Sequence, residues 1–148
     1  MIIVAIDETN LKKASNIIDQ LDSSKCMIKI GSVAFNSIGH NLIDYGAQQG
    51  FDIFLDLKLH DIPNTVKKSI ESLSSLPIKM LTIHTSGGKD MMSAAMEAVS
   101  GTDIKVFGVT VLTSLSDDDT NTIFKRTSSK QVEAMLDSAE LAGIDGVV

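Results

Sequence analysis

Two carboxylates, an ammonium and an imidazole fall within one apolar stretch, FLDLKLHDIPNTV, as Asp56, Lys58, His60 and Asp61. A buried charge without a partner is strongly disfavoured. Either the stretch is not a strand, or its charges face a site. Side chains of a strand alternate between faces. Over 51–59 the odd row is Phe51, Ile53, Leu55, Leu57 and Leu59, wholly apolar and suited to packing beneath helices. The even row continues through Asp52, Phe54, Asp56, Lys58 and His60, so Asp56 and Lys58 point to the same side. A lysine between carboxylates keeps its proton, because nearby negative charge favours the ammonium form. Such an array repels a substrate carboxylate while a lysine offers a proton to the carbon left behind. That is the chemistry of a decarboxylation or an enolate.

An isolated Asp-x-Lys also suits an ion pair that only holds register. The other strand-like stretches favour a site. Asp7 ends the run MIIVAID. In KCMIKIGS, Cys26, Ile28 and Ile30 form one row, with Lys29 and Met27 on the other face. Met80, Thr82 and His84 share a face in IKMLTIHTSGG, and IKVFGVTVLTS ends in Thr113 and Ser114. Polar groups thus gather at strand C-termini, where the active sites of (β/α)8 barrels sit.

The elements that must position these groups alternate regularly. Each strand-like run is followed by apolar residues at helical spacing, as in Leu11, Ala14, Ile17, Ile18 and Leu21. Gly50 and Gly143 read as glycines just past helix ends, and Pro63 as a first helical residue. The stretch LSDDDTNTIFKRTSSK reads as a polar loop with room for one helical turn. The count is about five strand–helix units and the opening of a sixth strand in IDGVV. Repeated βα units predict a parallel α/β sheet, doubly wound or closed as a TIM (β/α)8 barrel. A closed barrel needs eight strands and about 250 residues. Residues 1–148 are therefore expected to form a single domain that is a partial barrel, a piece of a longer chain.

Composition narrows the partners. The 148 residues are 43% hydrophobic and 22% charged, ordinary for a globular protein. The net charge of -6 argues against nucleic acid or an anionic membrane surface. Cys26 is the one cysteine, which excludes an internal disulfide and points to a reducing compartment, the cytoplasm. No Cys/His spacing suits zinc.

At this point the motifs resemble a known family. Asp56-Leu57-Lys58-Leu59-His60-Asp61-Ile62-Pro63-Asn64-Thr65 is similar to the DxKxxDIPxT signature of orotidine 5'-phosphate decarboxylases. VAID with Asp7, IKIG with Lys29, HTSGG with His84 and VTVLTS with Thr113 follow the same family in order. The resemblance implies a barrel that converts orotidine 5'-phosphate to UMP and CO2 in pyrimidine biosynthesis, with no metal or organic cofactor. It implies that Lys58 is the proton donor to C6 of the pyrimidine, and that Asp56 lies beside the substrate carboxylate. Asp7 and Lys29 would contact the ribose hydroxyls, Lys29 also pairing with Asp56. Asp61 and Thr65 would reach the ribose and its surroundings across a homodimer interface, completing the partner's catalytic Lys–Asp–Lys–Asp array; Ile62 would also bind substrate, and Thr113, or else Ser114, would bond the pyrimidine edge. In this family the phosphate is gripped by loops after strands 7 and 8, which lie outside these residues. The 148-residue chain is accordingly expected to be inactive or nearly so.

Related sugar-phosphate decarboxylases and hexulose-phosphate synthases share the Asp-x-Lys-x-x-Asp spacing but bind magnesium. They place a glutamate where this sequence has Lys29, and a cation there opposes a divalent metal. A non-catalytic barrel fragment is the other competing reading. Met91, Met92 and Met96 read as helix core, SDDDT as a solvated loop, Gly87-Gly88 as a tight turn and Cys26 as a buried, inert thiol. His40 reads as a surface or helix-start residue, and His60 and His84 as packing or hydrogen-bonding groups at the barrel mouth.

Overall fold

The computed structural model describes residues 2–148. Six strands form one parallel sheet: β1 Ile2–Ile6, β2 Cys26–Gly31, β3 Ile53–Leu59, β4 Met80–His84, β5 Lys105–Val109 and β6 Gly146–Val147. Their spatial order is the chain order, β1-β2-β3-β4-β5-β6. A doubly wound sheet reverses direction at a switch point. This one does not, so the sheet is an arc of a (β/α)8 barrel with β1 and β6 at its two edges.

Helices connect consecutive strands. They are α1 Leu11–Ile18, α2 Ser32–Ile38, α3 His40–Gln48, α4 Pro63–Leu73, α5 Gly88–Ala98, α6 Asp117–Phe124 and α7 Ser128–Ala142. Pro63 is the first residue of α4, where its missing N–H costs nothing. Gly50 and Gly143, at φ 83° and 70°, follow α3 and α7 in the left-handed region that glycine adopts without penalty.

The core lies between the sheet and these helices. Ile6, Ile28, Ile30, Ile53, Leu55, Leu81, Ile83 and Val106 face it, fully or almost fully buried. This is the apolar row of β3 continued sideways: Ile28 pairs with Ile53, Ile30 with Leu55, and Leu55 with Leu81. Gly46 lets α3 sit close on the sheet, since a Cβ there would fall 2.6 Å from Ile28 Cδ1. Met91 and Met92 are fully buried, and Met96 packs against the core partly exposed. Cys26 is only partly buried, at the start of β2, rather than enclosed.

Three local expectations change. A helix the sequence did not signal, α2, follows β2 directly. The acidic stretch 116–120 is not a loop but the start of α6. Ser116 and Asp119 form a capping box there, and Asp117, Asp118 and Asp119 occupy the first turn, where carboxylates favour the helix dipole. Finally, β5 stops at Val109, so Thr113 and Ser114 lie in a turn beyond the strand instead of ending it.

Candidate active site

Asp56 is the centre of the polar cluster at the C-terminal end of the sheet. It sits opposite Gly31 of β2 and is only 8% exposed. Lys58 Nζ donates to its Oδ1 at 2.8 Å, and Lys29 Nζ reaches across from β2 to Oδ2 at 3.2 Å. Thr82 of β4 adds a third donor, its hydroxyl bonding Asp56 Oδ1 at 2.9 Å. Burial works to raise the carboxyl pKa, but the hydrogen bonds from Lys58, Thr82 and Lys29 outweigh it, and Asp56 is held below the usual carboxylate range.

The backbone under Lys58 is not that of a regular strand. Between Leu55 and Leu59 the register with β4 shifts: Leu55 pairs with Leu81, yet Leu59 pairs with Ile83. Four steps along β3 thus match two along β4, a bulge that bends the strand at the site. Lys58 takes up the distortion with φ 52°, a left-handed conformation costing a lysine about 1–2 kcal/mol. Its N–H bonds the Thr82 hydroxyl at 2.9 Å. The sequence pattern placed Asp56 and Lys58 on one side, and they do share it, through a bulge rather than by simple alternation.

Asp7, which follows β1, and Lys29 flank the same point beside Gly31. A Cβ on Gly31 would stand 3.7 Å from Asp7 Oδ1 and 3.9 Å from Lys29 Nζ. Asp7, Lys29, Asp56 and Lys58 therefore converge at the ends of three adjacent strands. Asp61, Ile62 and Thr65 do not join them. All three are exposed on the loop and first turn of α4, and Asp61 Oδ1 accepts the Ile62 N–H at 2.7 Å. Thr113 is exposed in the turn after β5. His60 and His84 lie side by side with ring centroids 5.2 Å apart. Burial, then the neighbouring His60 and Lys58, push the His84 pKa below its ordinary value. A cavity of about 140 Å³ opens beside them, lined also by Ser86, Thr110, Leu112 and Phe124.

The residue that sequence reasoning missed is Thr82. Its parity with Met80 and His84 put it on the site side, but only the β3–β4 register shows that it touches both Asp56 and Lys58.

A family model described as "Orotidine 5'-phosphate decarboxylase / HUMPS family" matches residues 1–148. The chain belongs to this family. Among curated relatives, an orotidine 5'-phosphate decarboxylase of Saccharophagus degradans is 41% identical over 150 residues, covering 99% of this chain and 63% of that protein. The orotidine 5'-phosphate decarboxylase of Baumannia cicadellinicola is 44% identical, with 99% and 61% covered. The chain thus spans about 63% of the length of such a relative. A solved structure of orotidine 5'-phosphate decarboxylase from Lactobacillus acidophilus superimposes with a TM-score of 0.90 at 35% identity, covering 99% of this chain and 69% of that one. The Methanocaldococcus jannaschii orotidine 5'-monophosphate decarboxylase, solved with the inhibitor BMP, shares the fold at a TM-score of 0.80 and 20% identity, with 99% and 65% covered.

Proposed function

We propose that this chain carries the Asp/Lys half of an orotidine 5'-phosphate decarboxylase site, acting in UMP biosynthesis. The observation that carries the reading is the Asp56 carboxylate held between Lys58 at 2.8 Å and Lys29 at 3.2 Å, in a chain of this family. In the proposed reaction the bond from C6 to the carboxylate breaks and CO2 leaves. The electron pair stays on C6, and Lys58 gives it a proton. Asp56 contributes twice: it repels the substrate carboxylate and holds the Lys58 ammonium in place. Because Asp56 is already ionised and paired, little must reorganise as charge develops.

Asp7 and Lys29 are assigned to the ribose hydroxyls, and Thr113 to the pyrimidine edge. Asp61 and Thr65 are assigned to the site of a second copy in a homodimer, and Ile62 between them to substrate binding. Their exposure supports that assignment: Ile62 is 66% exposed beside the site. The phosphate is assigned to chain beyond these 148 residues, so the chain alone is expected to turn over little substrate. The compartment proposed is the cytoplasm. Among the described residues no helix is long and apolar enough to cross a membrane.

The magnesium-dependent reading fits less well. Both oxygens of Asp56 already accept donors, and one of these is the Lys29 ammonium, which opposes a divalent cation. The test is an ultraviolet assay for loss of orotidine 5'-phosphate, with and without chelator. It is run on this chain and on a chimera extended with the C-terminal remainder of the Saccharophagus degradans relative. Chelator-resistant turnover by the chimera, abolished by Lys58→Ala, is expected. A folded chimera that binds the nucleotide but never releases CO2 would sink the proposal.

A further inference from the structure

Thr82 makes two hydrogen bonds that no other residue of the site makes together. Its hydroxyl oxygen accepts the Lys58 N–H, and its proton goes to Asp56 Oδ1, both at 2.9 Å. We infer that Thr82 is a positioning residue: its hydroxyl pins the left-handed backbone of Lys58 and, through Asp56, fixes where the Lys58 ammonium stands. The inference rests on the decarboxylase reading for its consequence, not for its geometry.

The bulge makes the hydroxyl necessary. Because β3 slips against β4 between Leu55 and Leu59, the Lys58 N–H is out of step with the ladder and takes the hydroxyl as its acceptor. A lysine at φ 52° relaxes to an extended conformation unless something opposes it. Thr82 can oppose it because β4 holds Thr82 rigidly. It is 1% exposed and paired with Phe107 of β5, so water cannot substitute for the hydroxyl. A hydroxyl has one proton and two lone pairs, enough to serve a donor and an acceptor at once. Serine keeps both functions; valine has the same shape and neither.

If the backbone relaxes, the Cβ of Lys58 changes direction and the ammonium leaves Asp56. Lys29 still holds the other carboxylate oxygen. Substrate binding should therefore survive better than proton delivery. A misplacement of about 1 Å at a reacting group lowers rates about 100-fold.

The experiment has two arms. Amide hydrogen exchange by NMR on the unaltered chain reads the Lys58 N–H directly; slowing of at least about tenfold relative to an unstructured peptide is expected, as for a bonded buried amide. Thr82→Val should abolish that protection and raise the Asp56 carboxyl pKa, while Thr82→Ser should preserve both. In the chimera, Thr82→Val should lower kcat about 100-fold with KM changed less than about threefold, and Thr82→Ser should rescue kcat. A Lys58 amide that exchanges freely in the unaltered chain overturns the inference, and so do equal losses of kcat in the valine and serine variants. Should Thr82→Val fail to fold, the unaltered chain and the serine variant still decide. Should the parent chimera show no decarboxylation at all, the reaction reading falls, and the exchange and titration data alone judge the pinning.

Discussion

Lys29 and Lys58 grip opposite oxygens of one carboxylate, at 3.2 Å and 2.8 Å, although one lysine comes from β2 and the other from the same strand as Asp56. Two ammonium groups this close repel one another in the absence of the charge between them. The cluster is thus stable only as a unit, and Asp56 is the part that cannot be removed quietly.

Asp56→Asn should therefore cost both activity and stability. The neutral amide leaves two cations partly buried and unpaired, a loss of about 2 kcal/mol. Decarboxylation by the chimera should fall at least about 100-fold. The stability gap should also depend on pH. The folded pKa of Asp56 lies below 3.8, so its contribution is complete above that value and disappears as pH falls through the folded pKa. Urea midpoints of parent and variant should converge in acid. A gap that stays constant into strong acid would show that the carboxylate charge is not what holds the cluster.

Lys58 should behave as a residue whose conformation costs stability. Lys58→Gly and Lys58→Ala both remove the amine and should both lower turnover by the chimera, by about 1,000-fold or more. Their stabilities should differ, because alanine inherits the strain at φ 52° and glycine does not. Glycine should be the more stable of the two by about 1 kcal/mol in thermal or urea unfolding. Equal stabilities would mean that Lys58 is not held in the left-handed region in solution.

Much of this arrangement is written locally. The apolar residues Ile53 and Leu55 of β3, and Asp56 on the other face, follow from alternation, and Gly50, Pro63 and Gly143 mark helix ends by their own backbone preferences. What was not legible is non-local. The bulge at Lys58 arises from how β3 meets β4, and a strand read alone predicts a regular zigzag. The role of Thr82 appears only in that pairing. The full length of helix α6 is not legible, beyond one turn, because DDDTNTIF has almost no apolar periodicity; it is stabilised by its capping box and by contact with α7, not by an amphipathic face. Asp61, Ile62 and Thr65 are legible as a motif, yet in this chain they are exposed and make no contact with the Asp56 cluster.

His84 should give the chain a second, milder sensitivity to pH. Burial and the adjoining His60 and Lys58 hold its pKa below 6.5. As pH falls below that value the unfolded chain binds the proton first, so stability is full above about 6.5 and declines beneath it. His84→Gln removes the titrating group. Urea unfolding of parent and variant should show a difference that is flat at alkaline pH and shifts in favour of the variant as pH falls below about 6.5, toward the depressed folded value. A difference that shifts the other way would mean that the imidazole is charged and partnered in the folded chain.

The capping box of α6 offers a test away from the chemistry. Ser116 Oγ accepts the Asp119 N–H at 3.2 Å, and Asp119 Oδ2 accepts the Ser116 N–H at 2.9 Å. The same turn ties α6 to α7, since Asp117 Oδ1 takes the Ser128 N–H at 2.9 Å and Thr120 and Ser128 share a hydroxyl contact at 3.1 Å. Ser116→Ala breaks the reciprocal pair and should cost about 1 kcal/mol. The loss should be local: amides of Thr120 to Phe124 should exchange faster, while those of β2 and β3 keep their protection. The hydrogen bonds from Ser116 also hold the Asp119 pKa below 3.8, so the cap itself should loosen as pH falls through the depressed folded value. Uniform acceleration across the whole sheet would instead make α6 an integral part of the global fold, and unchanged exchange in α6 would mean that the box does not form.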